Sequence, residues 1–251
     1  MNTSTGASRM PQAQSHRQER IELACAFRWT ARLDMHEAVA NHYSLAVSAD
    51  GHEFLINPEG HHFSEIRASD LVEVNGRASE KPAGVDPTAW HIHGAIHRNN
   101  PAVRCVLHTH APYSTALSCL ADPTLPPINQ TAAQFFERVA IDTEYGGLGL
   151  DEEAERLSGL ADPAKPIILL GNHGVIAVGD SVAQAFDNLY YFERACQTWL
   201  LVLGTGREPR ILDDAVARKT AQQLQDYTDA AQQHLDALMR ILDREEPDYR
   251  D

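Results

Sequence analysis

The spacing of apolar residues changes repeatedly along this chain, and each change marks an element. In "ERIELACAFRWTARLDM", Ile21, Ala24, Cys25, Arg28 and Trp29 recur at helical spacing. "NHYSLAVSADGHEFLINP" then breaks into short strand-like runs, with Asp50-Gly51 as a hairpin signal. "HHFSEIRASDLVEVNGRAS" predicts a loop and a second strand pair, turned at Asn75-Gly76. Helical spacing returns at Ala89, Ile92, His93, Ile96 and His97, and Pro101 stops it. "VRCVLHTH" predicts a buried strand, "APYSTALSCLA" a helix, and "DPTLPP" a loop. "KPIILLGNHGVIAVGDS" predicts strand, turn, strand. The stripe Val182, Ala185, Phe186, Leu189, Cys196, Trp199 and Leu203 predicts a long helix, started by Asp180 or Ser181 and stopped by Gly204. From Asp213 to about Glu245 the helical pattern repeats with Val216, Leu224, Tyr227, Ala231, Leu238 and Leu242. Strands followed by helices, without repeats, predict one α/β domain: a central, mostly antiparallel sheet between helical layers. Its boundaries are 21–251, after a polar arm at 1–20 expected to be flexible.

Composition narrows the partners. With 21 Lys plus Arg against 35 Asp plus Glu, the formal charge is -14. A nucleic-acid footprint needs a basic face, and an anionic membrane needs the same, so neither partner is expected. No run approaches the roughly 20 apolar residues of a membrane span. Cys25, Cys105, Cys119 and Cys196 form no CxxC pair, so the expectation is reduced thiols in the cytoplasm.

The chemistry concentrates in histidines. On a strand, His108 and His110 of "LHTH" project from one face while Thr109 turns away. His173, between two glycines in "GNHG", is a third nitrogen on a tight turn. Three imidazoles with an open fourth position suit a catalytic metal. With 13 histidines in the chain, a chance pairing at 108 and 110 is the competing reading.

"HTHAPYSTAL", "GNHGVIAVG", "NHYSLAV", "FLINPEGHHFSEIRASDLVEV" and "IHGAIHRNNPAVRCVLHTH" occur in that order. Together with the helix carrying Glu193, they resemble the class II aldolase/adducin family from about residue 20 to 205. The resemblance implies an α/β/α sandwich and a homotetramer with active sites between subunits. It also implies a divalent metal, most often zinc, on His108, His110 and His173. Imidazole ligands equally admit manganese, iron or cobalt.

Two departures stand out from the sugar-phosphate members of that family. Where those enzymes carry an acidic residue before HxH, this chain has Ala89, and His93 is the candidate fourth nitrogen. Where they carry asparagine in "GNxS", this chain has His42, and "DPT" replaces "PSS", with Asp86 repelling a dianion. Both changes point to a small unphosphorylated substrate. Aldol chemistry needs a base for a carbon-bound proton, whereas decarboxylation needs only a proton donor. The sequence therefore favours a carbon–carbon lyase working through a metal-stabilised enolate, preferably a decarboxylase of a hydroxy or oxo acid. An aldolase on an unphosphorylated aldehyde and a non-catalytic adducin-like scaffold are the alternatives. Tyr145 and His42 are the catalytic candidates, and Ser44, Tyr113 and Gln130 the candidate substrate contacts.

Overall fold

A computed structural model of the chain describes residues 15–150 and 152–251. Among the described residues, seven strands form one sheet: β1 His42–Ala46, β2 Glu53–Ile56, β3 Val72–Asn75, β4 Cys105–Thr109, β5 Val139–Asp142, β6 Ile167–Leu170 and β7 Gly174–Gly179. Their order is β3-β2-β1-β4-β7-β6-β5. Only the β5–β6 pairing is parallel; the others are antiparallel. The expected mostly antiparallel sheet is therefore observed.

Period-2 alternation divides the sheet between two helical layers. Tyr43 and Leu45 of β1, Cys105 and Leu107 of β4, and Val175 and Ala177 of β7 enter the larger core. They pack there with α1 (Arg17–Arg32), α6 (Val182–Leu203) and α8 (Ala230–Glu245). Val106, Ile176 and Val178 face the other way, onto α2 (Pro87–Asn99) and α5 (Glu152–Ser158). Two short helices, α3 (Pro112–Ser118) and α4 (Gln130–Ala133), follow β4, and α7 (Asp214–Gln225) precedes α8.

Several boundaries differ from the sequence reading. Helix α1 begins at Arg17, inside the expected arm, because Arg20 is buried and donates to the carbonyls of Leu71 and Ala68. The first fourteen positions of that arm lie outside the described residues. Asn75-Gly76 makes no hairpin: β3 is an edge strand paired only with β2, and the Asn75 side chain accepts from the Arg77 amide as the chain leaves. The tail is two helices, interrupted at residues 226–229, a stretch whose Asp226, Thr228 and Asp229 have low helix propensity. Val216 and Tyr227, assigned to the apolar stripe, are exposed; α7 buries only Ala217 and Ala221. No helix among the described residues is long and apolar enough to cross a membrane.

Candidate metal centre

β4 carries His108 on the same face as Val106, toward α2, while Thr109 turns into the opposite face and donates to the Met35 carbonyl. His110 follows at the strand end, and His173 sits in the turn between β6 and β7. β4 and β7 are paired, so the turn lands beside the strand end. The ring centroids of His108, His110 and His173 lie 4.8–5.0 Å apart. One ligand nitrogen from each falls within 4.8 Å of the others.

The glycines around His173 act through packing. A Cβ on Gly174 would stand 2.7 Å from the Thr109 carbonyl oxygen and 3.0 Å from Cδ2 of His110. One on Gly171 would stand 2.8 Å from the Asp142 carbonyl oxygen. Between them Asn172 takes a left-handed φ of 56°, tolerable for asparagine. The turn can thus press against β4 and β5, which brings its histidine to the other two.

Hydrogen bonds set the rings for a cation. His110 Nδ1 lies 2.6 Å from a carboxylate oxygen of Glu37 and donates to it. That leaves Nε2 of His110 unprotonated, and it is buried with no hydrogen-bond partner. His108 donates from Nδ1 to the Val175 carbonyl at 3.2 Å, which likewise frees its Nε2. A carboxylate or carbonyl behind a histidine is the usual support of a metal ligand. Burial keeps the rings of His108 and His173 neutral, as ligation requires. His173 is lowered to about 4 by burial, with His110 adding repulsion. His108 is held well below the ordinary histidine range, first by burial and then by the neighbouring imidazoles. The donor set fits a divalent cation.

His42 pairs with His108 across β1 and β4, with ring centroids 4.8 Å apart. Burial drives it down to about 4, against the pull of Asp86 and helped by His110 and His173. A protonated His42 is therefore disfavoured. The candidate fourth nitrogen, His93, is already committed. Its Nε2 bonds His42 Nδ1 at 2.7 Å, and its Nδ1 bonds the Ser44 hydroxyl at 2.5 Å. No ring nitrogen of His93 remains for an ion. Ser44 is fully buried behind these rings, so the direct substrate contact expected of it is blocked. Ala89 packs its methyl into a small apolar cluster with Phe54, Ile56 and Val85.

Tyr145 lies beside His173, its ring centroid 6.1 Å from that of the imidazole, and is exposed. Below it Arg156 joins both carboxylate oxygens of Asp142, the carboxylate of Glu153 and the Glu144 carbonyl, pinning the segment that carries Tyr145. The other two candidates part from the site. The Tyr113 ring packs against the larger core. Gln130 lines a separate cleft with Asp187, Tyr191 and Tyr227, whose described lining contains none of the three histidines.

Two carboxylates support the site, of which the sequence singled out only Glu193. Glu37 lies in an irregular stretch without periodicity, and its own amide is held by Asn41 at 2.7 Å. Glu193 is buried, and its carboxylate accepts from the amides of Tyr113 and Ser114 at 2.7 and 2.8 Å, fixing the start of α3 just after His110. Its place on the buried side of the α6 stripe makes it a support rather than an exposed helical charge.

The family model for the class II aldolase and adducin N-terminal domain matches residues 21–200. A putative aldolase class 2 protein of Caulobacter vibrioides is 31% identical, covering 93% of this chain and 92% of that protein. Decarboxylase NovR of Streptomyces niveus is 33% identical over 80% of this chain and 75% of its own length. The crystal structure of an aldolase II superfamily protein from Pseudomonas syringae superimposes with a TM-score of 0.85 at 34% identity, covering 97% of this chain and 98% of that one. With this fold, this order of motifs and a family match spanning most of its length, the chain belongs to the class II aldolase/adducin family.

Proposed function

We propose that this protein is a divalent-metal-dependent carbon–carbon lyase, a decarboxylase of a small unphosphorylated hydroxy or oxo acid. The observation that carries the reading is the meeting of His108, His110 and His173 in one site, in a chain whose α2 has Ala89, packed among apolar side chains, at the position where the sugar-phosphate relatives carry an acidic residue. The similarity to a decarboxylase agrees with it.

His108, His110 and His173 would hold the cation, zinc by preference, with manganese, iron or cobalt as alternatives. When bound, such a cation supplies Lewis-acid polarisation of substrate oxygens. Glu37 and the Val175 carbonyl keep two ligand rings oriented and deprotonated at Nε2. In a substrate whose carbonyl stands beta to the carboxylate, with or without a hydroxyl between them, the bond between the carboxylate and its neighbouring carbon breaks, carbon dioxide leaves, and the electron pair passes into the carbonyl as an enolate. That carbon then takes a proton from the phenol of Tyr145, held beside His173. No step removes a carbon-bound proton, so Ala89 costs nothing. The same reading includes a homotetramer whose subunits complete each pocket, with Tyr145 exposed beside His173.

The test is a screen of zinc-loaded protein against 3-oxo acids, with and without a 2-hydroxyl, and hydroxyaromatic acids, reading carbon dioxide and aldehyde together. Carbon dioxide release that disappears in His173→Ala supports the proposal. Aldehyde without carbon dioxide would make the enzyme an aldolase and overturn it. Bound metal with no turnover on any acid would favour a scaffold.

A further inference from the structure

Behind the metal site runs a buried row of polar groups that ligation does not use. It starts at the Val103 carbonyl, which can only accept. His97 Nδ1 lies 3.1 Å from that oxygen and must donate to it. Its Nε2 is then an acceptor, 2.7 Å from the Ser44 hydroxyl, whose single proton is spent there. The same oxygen lies 2.5 Å from His93 Nδ1, which must therefore donate to it. His93 Nε2 is left as an acceptor, 2.7 Å from His42 Nδ1, which donates in turn. All three rings are buried, and a nitrogen-to-nitrogen hydrogen bond holds one proton, so the row accommodates neutral rings. One terminal carbonyl thus fixes every proton along the row. The last atom, Nε2 of His42, carries a lone pair and takes no hydrogen bond among the described residues. Its ring stands 4.8 Å from that of His108.

We propose that the row Val103–His97–Ser44–His93–His42 fixes His42 as an obligate hydrogen-bond acceptor at the metal site, so that this corner receives a substrate hydroxyl and refuses a carboxylate or phosphate oxygen. Asp86, whose charge is felt at His42, adds to the refusal of anions. This deepens the reading of a small-acid lyase and rests on the same pocket; it selects hydroxylated acids over their oxo counterparts. Ser44 and His97 are positioning residues that act through His42. A site built to pair with a hydroxyl discriminates strongly against the analogue lacking it.

Neutron diffraction from deuterated, zinc-loaded crystals of the wild-type protein reads the protons directly. The expected map has deuterium on Nδ1 of His42, His93 and His97 and none on Nε2 of His42. Deuterium on Nε2 of His42 would overturn the proposal. In parallel, calorimetry compares lactate and pyruvate binding to zinc-loaded wild type and Ser44→Ala. The ratio between proteins cancels the metal's own preference. Wild type should favour lactate at least tenfold more than Ser44→Ala does; an unchanged ratio would overturn the specificity claim. Neither readout requires turnover. A failed acid screen with the expected proton map removes the lyase reading alone, whereas carbon dioxide release with a protonated Nε2 removes this inference alone.

Discussion

The carboxylate of Glu37 stands 2.6 Å from Nδ1 of His110, on the far side of the ring from a buried nitrogen that has no hydrogen-bond partner. One contact thus decides both the tautomer and the aim of a candidate metal ligand. Removing the charge while keeping the shape, as in Glu37→Gln, lets the ring rotate and weakens its basicity. The expected result is a 10–100-fold loss of zinc affinity by competition with a chromophoric chelator. An affinity equal to wild type would mean that Glu37 is an exposed carboxylate with no role at the site.

Tyr145 offers the opposite signature. It lies near the triad but supports none of its rings. Tyr145→Phe should leave zinc affinity unchanged and lower kcat by roughly 10²-fold, the scale of a lost general acid. Loss of metal binding together with activity would show that the ring is structural.

Glu193 ties α6 to the start of α3 through two amides. Glu193→Ala leaves both amides without an acceptor in a buried setting and should cost roughly 3 kcal/mol in chemical denaturation. A cost under about 0.5 kcal/mol would mean that water replaces the carboxylate.

The same residue predicts a pH effect of defined sign. Burial raises its pKa above the ordinary carboxyl value of 4.5, outweighing the two amide bonds that lower it. Between 4.5 and the higher folded value, the folded chain holds more proton than the unfolded one. Its contribution is therefore fully present below 4.5 and lost as pH rises through the folded value. Urea midpoints should show wild type losing stability relative to Glu193→Gln as pH rises from 4.5. A difference that is flat, or that grows in favour of wild type, would contradict the assignment.

Much of this was legible in the residues. Alternation on β4 places His108 on one face and Thr109 on the other, as the period of a strand demands. The helix over Ala89 to His97 and the strand–turn–strand around "GNHG" also follow from periodicity. That His173 meets the other two does not: it depends on β7 pairing with β4 across about 65 residues of sequence, and only the likeness to a family suggested it. His93 shows the limit from the other side. Its position near the site was readable, yet its nitrogens are claimed by His42 and Ser44, partners on a strand some 50 residues away. Glu37 sits in a stretch with no period at all. Element β5, short and partly exposed, gives too weak an alternation to mark a strand.

The central claim is that three imidazoles from two distant segments bind one divalent ion. Anomalous diffraction at the zinc absorption edge, on crystals of protein purified without chelator and supplied with zinc, tests it most directly. The account predicts one strong peak per chain within about 2.0–2.1 Å of a nitrogen of His108, His110 and His173. A peak elsewhere, or none between those rings at saturating zinc, would contradict it.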